Sequence, residues 1–263
     1  MYEAAKKQLS SASVSVPSPI SRIADDGKYE VKCALGHESI VFVDNVKFEL
    51  LFELGVNSLV DGYPREAVSS FTAALERFYE FYWRVVMCHL AISFEEIDKT
   101  WKSISKQSER QLGAFVTAHF ALMNTSPKLL NTNQEVKFRN QVIHDGYVPK
   151  IEEAISYGNT VMHLINQALN GLRENAFAAV EATYKRMSPA PIYDENYVDE
   201  NPSEIRGTVN ILTTIDVRNP PFGDDQRVGD IKSQFKRILY ERQPFGLETL
   251  SKKEFKKRFP KGK

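Results

Sequence analysis

Two cysteines, Cys33 and Cys88, occur in 263 residues. That is too few for a disulfide framework and points to a reducing compartment. No apolar run reaches the roughly 20 residues that a membrane helix needs. The opening stretch, MYEAAKKQLSSASVSVPSP, lacks the apolar segment of a secretory signal. The expectation is a cytoplasmic protein with no membrane partner. Net charge is missing too: 34 Lys and Arg balance 34 Asp and Glu, so no global field draws the chain to nucleic acid or lipid. The sequence contains no glycine-rich phosphate loop of the P-loop or dinucleotide type, and neither HExxH nor GxSxG. Cys33-x3-His37 resembles half of a zinc knuckle, but structural zinc takes four ligands and no second pair completes the set. No metal and no cofactor are expected.

What is present is unevenly distributed. Residues 226–263 hold twelve bases and four acids, a net of +8, so residues 1–225 carry −8. The last thirteen residues hold seven bases and one acid, Glu254, for a net of +6. Such a tail can contact phosphates through Lys252, Lys253, Lys256, Lys257 and Arg258. It can equally stay solvated or dock an acidic partner.

The pattern predicts a mainly α protein, a helical bundle with a small N-terminal β ribbon and a small mixed C-terminal region. Residues 1–27 read as a flexible arm, rich in Ser, Ala and Pro. Residues 28–43 carry two short β-branched runs around Gly36 and read as a hairpin or small β ribbon. Residues 44–187 are helical almost throughout. Residues 188–204 carry three prolines, five acids and no base, as in a linker. In residues 205–263, TVNILTTIDV at 208–217 reads as a strand and 227–242 as an amphipathic helix before the basic tail.

Within the bundle, Asp44 or Asn45 is expected to cap a first helix ending at Asp61-Gly62. Pro64 suits the first turn of the next, which runs to about residue 93. Its Val68, Phe71, Leu75, Phe78, Tyr82 and Val86 step by three or four, and Glu80 and Arg84 are spaced to pair. The aromatic run FYEFYW (78–83) is expected to serve core or subunit contacts rather than base stacking. Further helices are expected at 95–106, 108–123, 132–144 and 149–187, the last kinked at Gly158 or Gly171. His89, His119 and His163 sit in apolar helical patterns and are expected to be core or interhelix residues.

His144 differs. It lies in KFRNQVIHDGYVP (137–149), where Arg139, Asn140, His144 and Asp145 gather beside a helix stop signalled by Gly146 and Pro149. Arginine offers a permanent planar cation suited to phosphate, and histidine exchanges protons near neutral pH. Together they suffice for metal-free phosphodiester chemistry. The spacing raises a difficulty, because helix positions five apart differ by about 140° of rotation. Either the helix unwinds before His144, or Arg139 and His144 meet across a two-fold axis with a second copy. A surface arginine and a histidine stabilised at a helix C-terminus would give the same pattern.

Arg139-Asn140-x3-His144 at a helix end, inside an all-helical region spanning about residues 45–185, resembles the signature of the HEPN superfamily. The resemblance implies a metal-independent endoribonuclease of toxin–antitoxin or antiviral defence type, acting as a homodimer with a composite site at its interface. It assigns proton transfer to His144, charge stabilisation to Arg139, and to Asn140 either the orientation of His144 or the binding of a phosphate oxygen, with Asp145 an auxiliary that tunes the histidine or caps the turn. RNA is then the substrate, and an antitoxin or regulatory protein a partner. Other members of the superfamily only bind nucleotides or proteins. A structural or interaction protein with an accidental RNxxxH is the third reading.

Overall fold

The computed structural model describes residues 24–32, 38–189, 205–209, 211–218 and 229–241. Cys33, His37, most of the arm and the acidic linker, and the whole basic tail lie outside these residues. The bundle is mainly α, as the periodicity predicts. Its helices are α1 (Lys47–Asp61), α2 (Pro64–His89), α3 (Phe94–Ile104), α4 (Ser108–Met123), α5 (Lys137–Ile143) and α6 (Ile151–Met187). No helix among the described residues is long and apolar enough to cross a membrane.

α2 is the central element and packs along α1, α4 and α6. Pro64 opens it, and Gly62, in the left-handed region at φ +84, ends α1. All six residues of its predicted stripe, Val68 through Val86, are buried. The aromatic run lies in the core: Phe78, Tyr79, Phe81, Tyr82 and Trp83 are all buried. Phe48 of α1 meets Phe78 and Phe81 at 5.3 Å between ring centroids, and Tyr79 stacks on Phe115 of α4 at 4.6 Å. These rings are occupied by one another, so they offer no platform for bases.

Two glycines let the helices close on one side chain. The ring of Phe71 fills notches at Gly55 of α1 and Gly158 of α6, where an added Cβ would lie 2.4 and 2.6 Å from it. At Gly158 the same Cβ would also meet Ile231 at 2.6 Å. Gly158→Ala is therefore expected to destabilise the fold by about 1–3 kcal/mol despite alanine's higher helix propensity. Gly171→Ala is expected to be near neutral, because the neighbour there is the flexible end of Met123. Urea unfolding of the two variants measures the contrast, and equal midpoints would remove the steric account.

Several local expectations are corrected. α1 is capped at Val46, not at Asp44 or Asn45. Glu49 Oε2 reaches back to accept from Val46 N at 3.2 Å, which is half of a capping box. Asp44 and Asn45 are drawn off by distant partners: Asp44 accepts from Ser188 Oγ, and Asn45 Nδ2 donates to Ile211 O. α6 departs from helical geometry at Ala176 (φ −145, ψ 34), not at Gly158 or Gly171. Those two glycines serve close packing instead of bending. His89 and His163 are exposed on the helix surface rather than in the core. His119 alone fits its expectation, with Nδ1 3.0 Å from Thr125 O and its ring stacked on Tyr82.

The sheet joins residues 28–43 to residues 205–209. β1 (Lys28–Lys32) and β2 (Glu38–Val43) form the expected antiparallel ribbon, with Glu30 opposite Ile40. β3 (Ile205–Val209) joins β2 in parallel, with Val41 opposite Gly207. The predicted strand at 208–217 is thus displaced: β3 ends at Val209, and 211–218 is an irregular strap along α1. Its alternating side chains still explain the pattern, because Thr213, Ile215 and Val217 are buried. Carboxylates of α1 hold the strap. Glu53 Oε2 accepts from Thr214 N at 2.8 Å, and Glu49 Oε1 accepts from Val217 N at 2.6 Å. A short 3-10 turn (Ile231–Gln234) leads into α7 (Phe235–Glu241), which packs on α1. Ile231, Phe235 and Ile238 join the main core.

Candidate functional site

α5 carries the motif, and its own sequence explains its position. The expected helix over 132–144 begins as a π turn (Thr132–Val136) and tightens into α5. Asn131 Oδ1 caps it by accepting from Asn133 N at 2.9 Å. Val142, fully buried, fixes α5 to the core. Phe138 sits against Tyr147 and Tyr157, at centroid distances of 6.4 and 5.7 Å. The helix stop falls where Gly146 and Pro149 predict it. Gly146 is left-handed at φ +74, and Tyr147 N donates to Gln141 O at 3.0 Å, closing a Schellman-type cap.

The helix does not unwind before His144. His144 N donates to Asn140 O at 2.8 Å and Asp145 N to Gln141 O at 3.2 Å, so the ladder continues through the motif. One of the two routes for joining Arg139 to His144 is thereby closed. Arg139 and Asn140 are brought together: Arg139 Nη1 donates to Asn140 Oδ1 at 2.8 Å. Arg139 Nη2 lies 3.3 Å from Glu76 Oε1 of α2. The guanidinium is half-buried and keeps its remaining N–H groups for another acceptor. Asn140 and His144, four positions apart, share one helix face. Asn140 therefore stands between an arginine on one side of α5 and a histidine on another.

His144 and Asp145 are both exposed, and neither side chain has a partner among the described residues. Asp145 neither touches the histidine nor caps the turn through its carboxylate. Tyr147 and Val148, three and four residues beyond the histidine, are exposed apolar side chains.

No protein-family model matches the chain, and no curated protein or solved structure matches it.

Behind Arg139 the wall is phenolic. Tyr157 Oη is 2.9 Å from Thr72 Oγ1, and burial raises its hydroxyl to about 12. Burial raises Tyr79 as well, aided by Tyr157 and Glu76. Both phenols stay protonated at neutral pH and serve packing and hydrogen bonding, not proton abstraction. Among the described residues, no three His, Cys, Asp or Glu side chains gather where they could hold a metal ion.

Sequence reasoning missed Glu76, which holds Arg139. Its position on α2 gives one faint signal. Glu76 and Tyr79 are three apart, on a stripe separate from the one that carries Arg77, Glu80 and Arg84. The tail residues Lys252, Lys253, Lys256, Lys257 and Arg258 lie outside the described residues.

Proposed function

We propose that the chain is a HEPN-type, metal-independent endoribonuclease whose working unit is a homodimer. The observation that carries the reading is the split of the motif over a regular helix. Arg139 is oriented by Glu76 and Asn140 on one side of α5, while His144 is exposed and unpartnered on another. A single α5 supplies each part of the chemistry, but not on one face. Two copies related by a two-fold axis supply both faces to one cleft. Exposed Tyr147 and Val148, which follow His144 closely in the chain, offer such a contact apolar surface.

In that site the RNA 2′-hydroxyl attacks the adjacent phosphorus as His144 takes its proton. The 5′-oxygen leaves and receives a proton, giving a 2′,3′-cyclic phosphate and a 5′-hydroxyl. Arg139 opposes the charge that grows on the phosphoryl oxygens, and Asn140 holds the guanidinium in place. The basic tail adds phosphate contacts without setting the cleavage position. A defence or toxin role, with a protein that restrains the enzyme, follows from the same reading.

A mixing experiment tests the composite site. Arg139→Ala and His144→Ala proteins are each expected to be inactive. Mixed, they form heterodimers in which one of two sites keeps both wild-type residues, so about a quarter of wild-type activity returns under random exchange. Cleavage is expected to persist in excess EDTA. No recovery on mixing, with exchange shown by co-purification of an untagged variant with a tagged one, rules out a site shared between copies. A strict need for added magnesium or manganese rules out the mechanism itself.

A further inference from the structure

A second cleft lies away from Arg139. It opens between the N-terminus of α1, one side of α2, α3 and the C-terminal end of α6, and encloses about 470 Å³. Volumes of this size hold small-molecule ligands. Four bases line it, Lys47, Arg77, Arg84 and Arg186, against two acids, Glu80 and Asp98. The acids are shared. Glu80 accepts from Arg77 at 2.9 Å and from Arg84 at 3.0 Å, and Asp98 from Arg84 at 2.5 Å and from Arg186 at 2.9 Å. Three guanidiniums thus divide two carboxylates between them. Arg84 Nη2 and the Nε and Nη1 of Arg186 have no acceptor among the described residues. Lys47 is turned toward Asp25, whose side chain is 94% exposed, so that pair exchanges readily with water.

One wall is aromatic. Trp101 lies under the Arg84 guanidinium, 5.9 Å from its centroid, and against Trp83 at 5.4 Å. Its Nε1 is buried and has no hydrogen-bond acceptor among the described residues, which is uncommon for an indole at this depth. The lining therefore combines surplus positive charge and spare planar donors with an aromatic wall and the first turn of α1. Arginine forks match the oxygens of a phosphate, and the surplus of two charges matches a phosphate dianion better than a monocarboxylate.

We propose that this cleft binds the phosphate group of a small phosphorylated molecule, independently of whether Arg139 and His144 cleave RNA. Arg186 and Lys47, about half exposed, turn onto the bound group. Arg84, held by Glu80 and Asp98, forms the fixed floor.

The protein's two tryptophans, Trp83 and Trp101, are both at or beside the cleft, so intrinsic fluorescence reports on it. The full-length protein is titrated with inorganic phosphate and, separately, with AMP, each against chloride at matched ionic strength, and both are repeated by calorimetry. Saturable quenching by either phosphate species is expected. AMP binding more tightly than phosphate would assign part of the affinity to the rest of the ligand, and equal affinity would assign all of it to the phosphate. In the Lys47→Gln/Arg186→Gln double variant, affinity is expected to fall about tenfold or more, with an unchanged melting temperature in ligand-free buffer. Quenching no greater than that of chloride overturns the proposal. So does undiminished binding by the double variant. If that variant unfolds early, Arg186→Gln alone carries the same comparison.

Discussion

His144→Ala is expected to lower RNA cleavage by about 10²–10⁴-fold, the usual worth of a positioned proton-transfer group. The loss is expected in a protein that is otherwise intact. His144 is exposed and its side chain has no partner among the described residues. Its removal therefore leaves no cavity and no unsatisfied buried group, and stability changes by no more than about 0.5 kcal/mol. Arg139→Lys is the sharper companion. It keeps the charge near Glu76 but loses the fork that bonds Asn140 and Glu76 together. Rates of cleavage of a defined RNA, read beside thermal unfolding, separate chemistry from folding. Unchanged cleavage by folded His144→Ala protein ends the catalytic reading, whatever the mixing experiment gives. Loss of cleavage together with a large fall in unfolding temperature contradicts the claim that this side chain is free of structural duty.

The legible parts of this fold are those governed by neighbours close in sequence. The α2 stripe is readable because residues three and four apart share a face, and burial of Val68, Phe71, Leu75, Phe78, Tyr82 and Val86 follows. The Glu80–Arg84 pair at 3.0 Å is readable for the same reason. So is the end of α5 at Gly146, since a left-handed residue there suits glycine. The α1 cap is not legible because its competing partners are remote: Asn45 is drawn to Ile211, 166 positions away. The same holds for Glu76, 63 positions from Arg139. β3 was shifted because alternation in 211–217 fits a buried strap as well as a strand. The site is half legible. Residue types at 139, 140 and 144 are those the proposed phosphate chemistry needs, yet their angular separation on a regular helix becomes known only once the backbone is seen to hold through Asp145.

Stability is expected to fall by about 3 kcal/mol between roughly pH 5 and 8 because of one buried carboxyl, that of Glu49. Glu49 is fully buried on α1. Burial is the main cause that lifts its carboxyl from 4.5 to about 7, and Asp216 adds to the rise. The Val217 N–H, Asn45 and Arg218 oppose it without cancelling it. Tyr184 Oη also faces it at 3.5 Å, while donating to Asp44 O. The folded state therefore holds a proton on Glu49 between about pH 4.5 and 7 that the unfolded chain has released. The stabilisation is complete below 4.5 and is lost as pH rises through about 7. Other groups titrate in this range, so the decisive quantity is a difference. In Glu49→Gln the side chain has no proton to lose. The gap in unfolding free energy between wild type and variant should then shift by about 3 kcal/mol in the variant's favour from pH 5 to 8. A constant offset is expected on top of this, because the amide nitrogen faces the donors Val46 N and Asn45 Nδ2 that the carboxylate now accepts. Parallel stability profiles for the two proteins across the window would mean that Glu49 is ionised in the folded state throughout, its four neighbouring donors outweighing the loss of water.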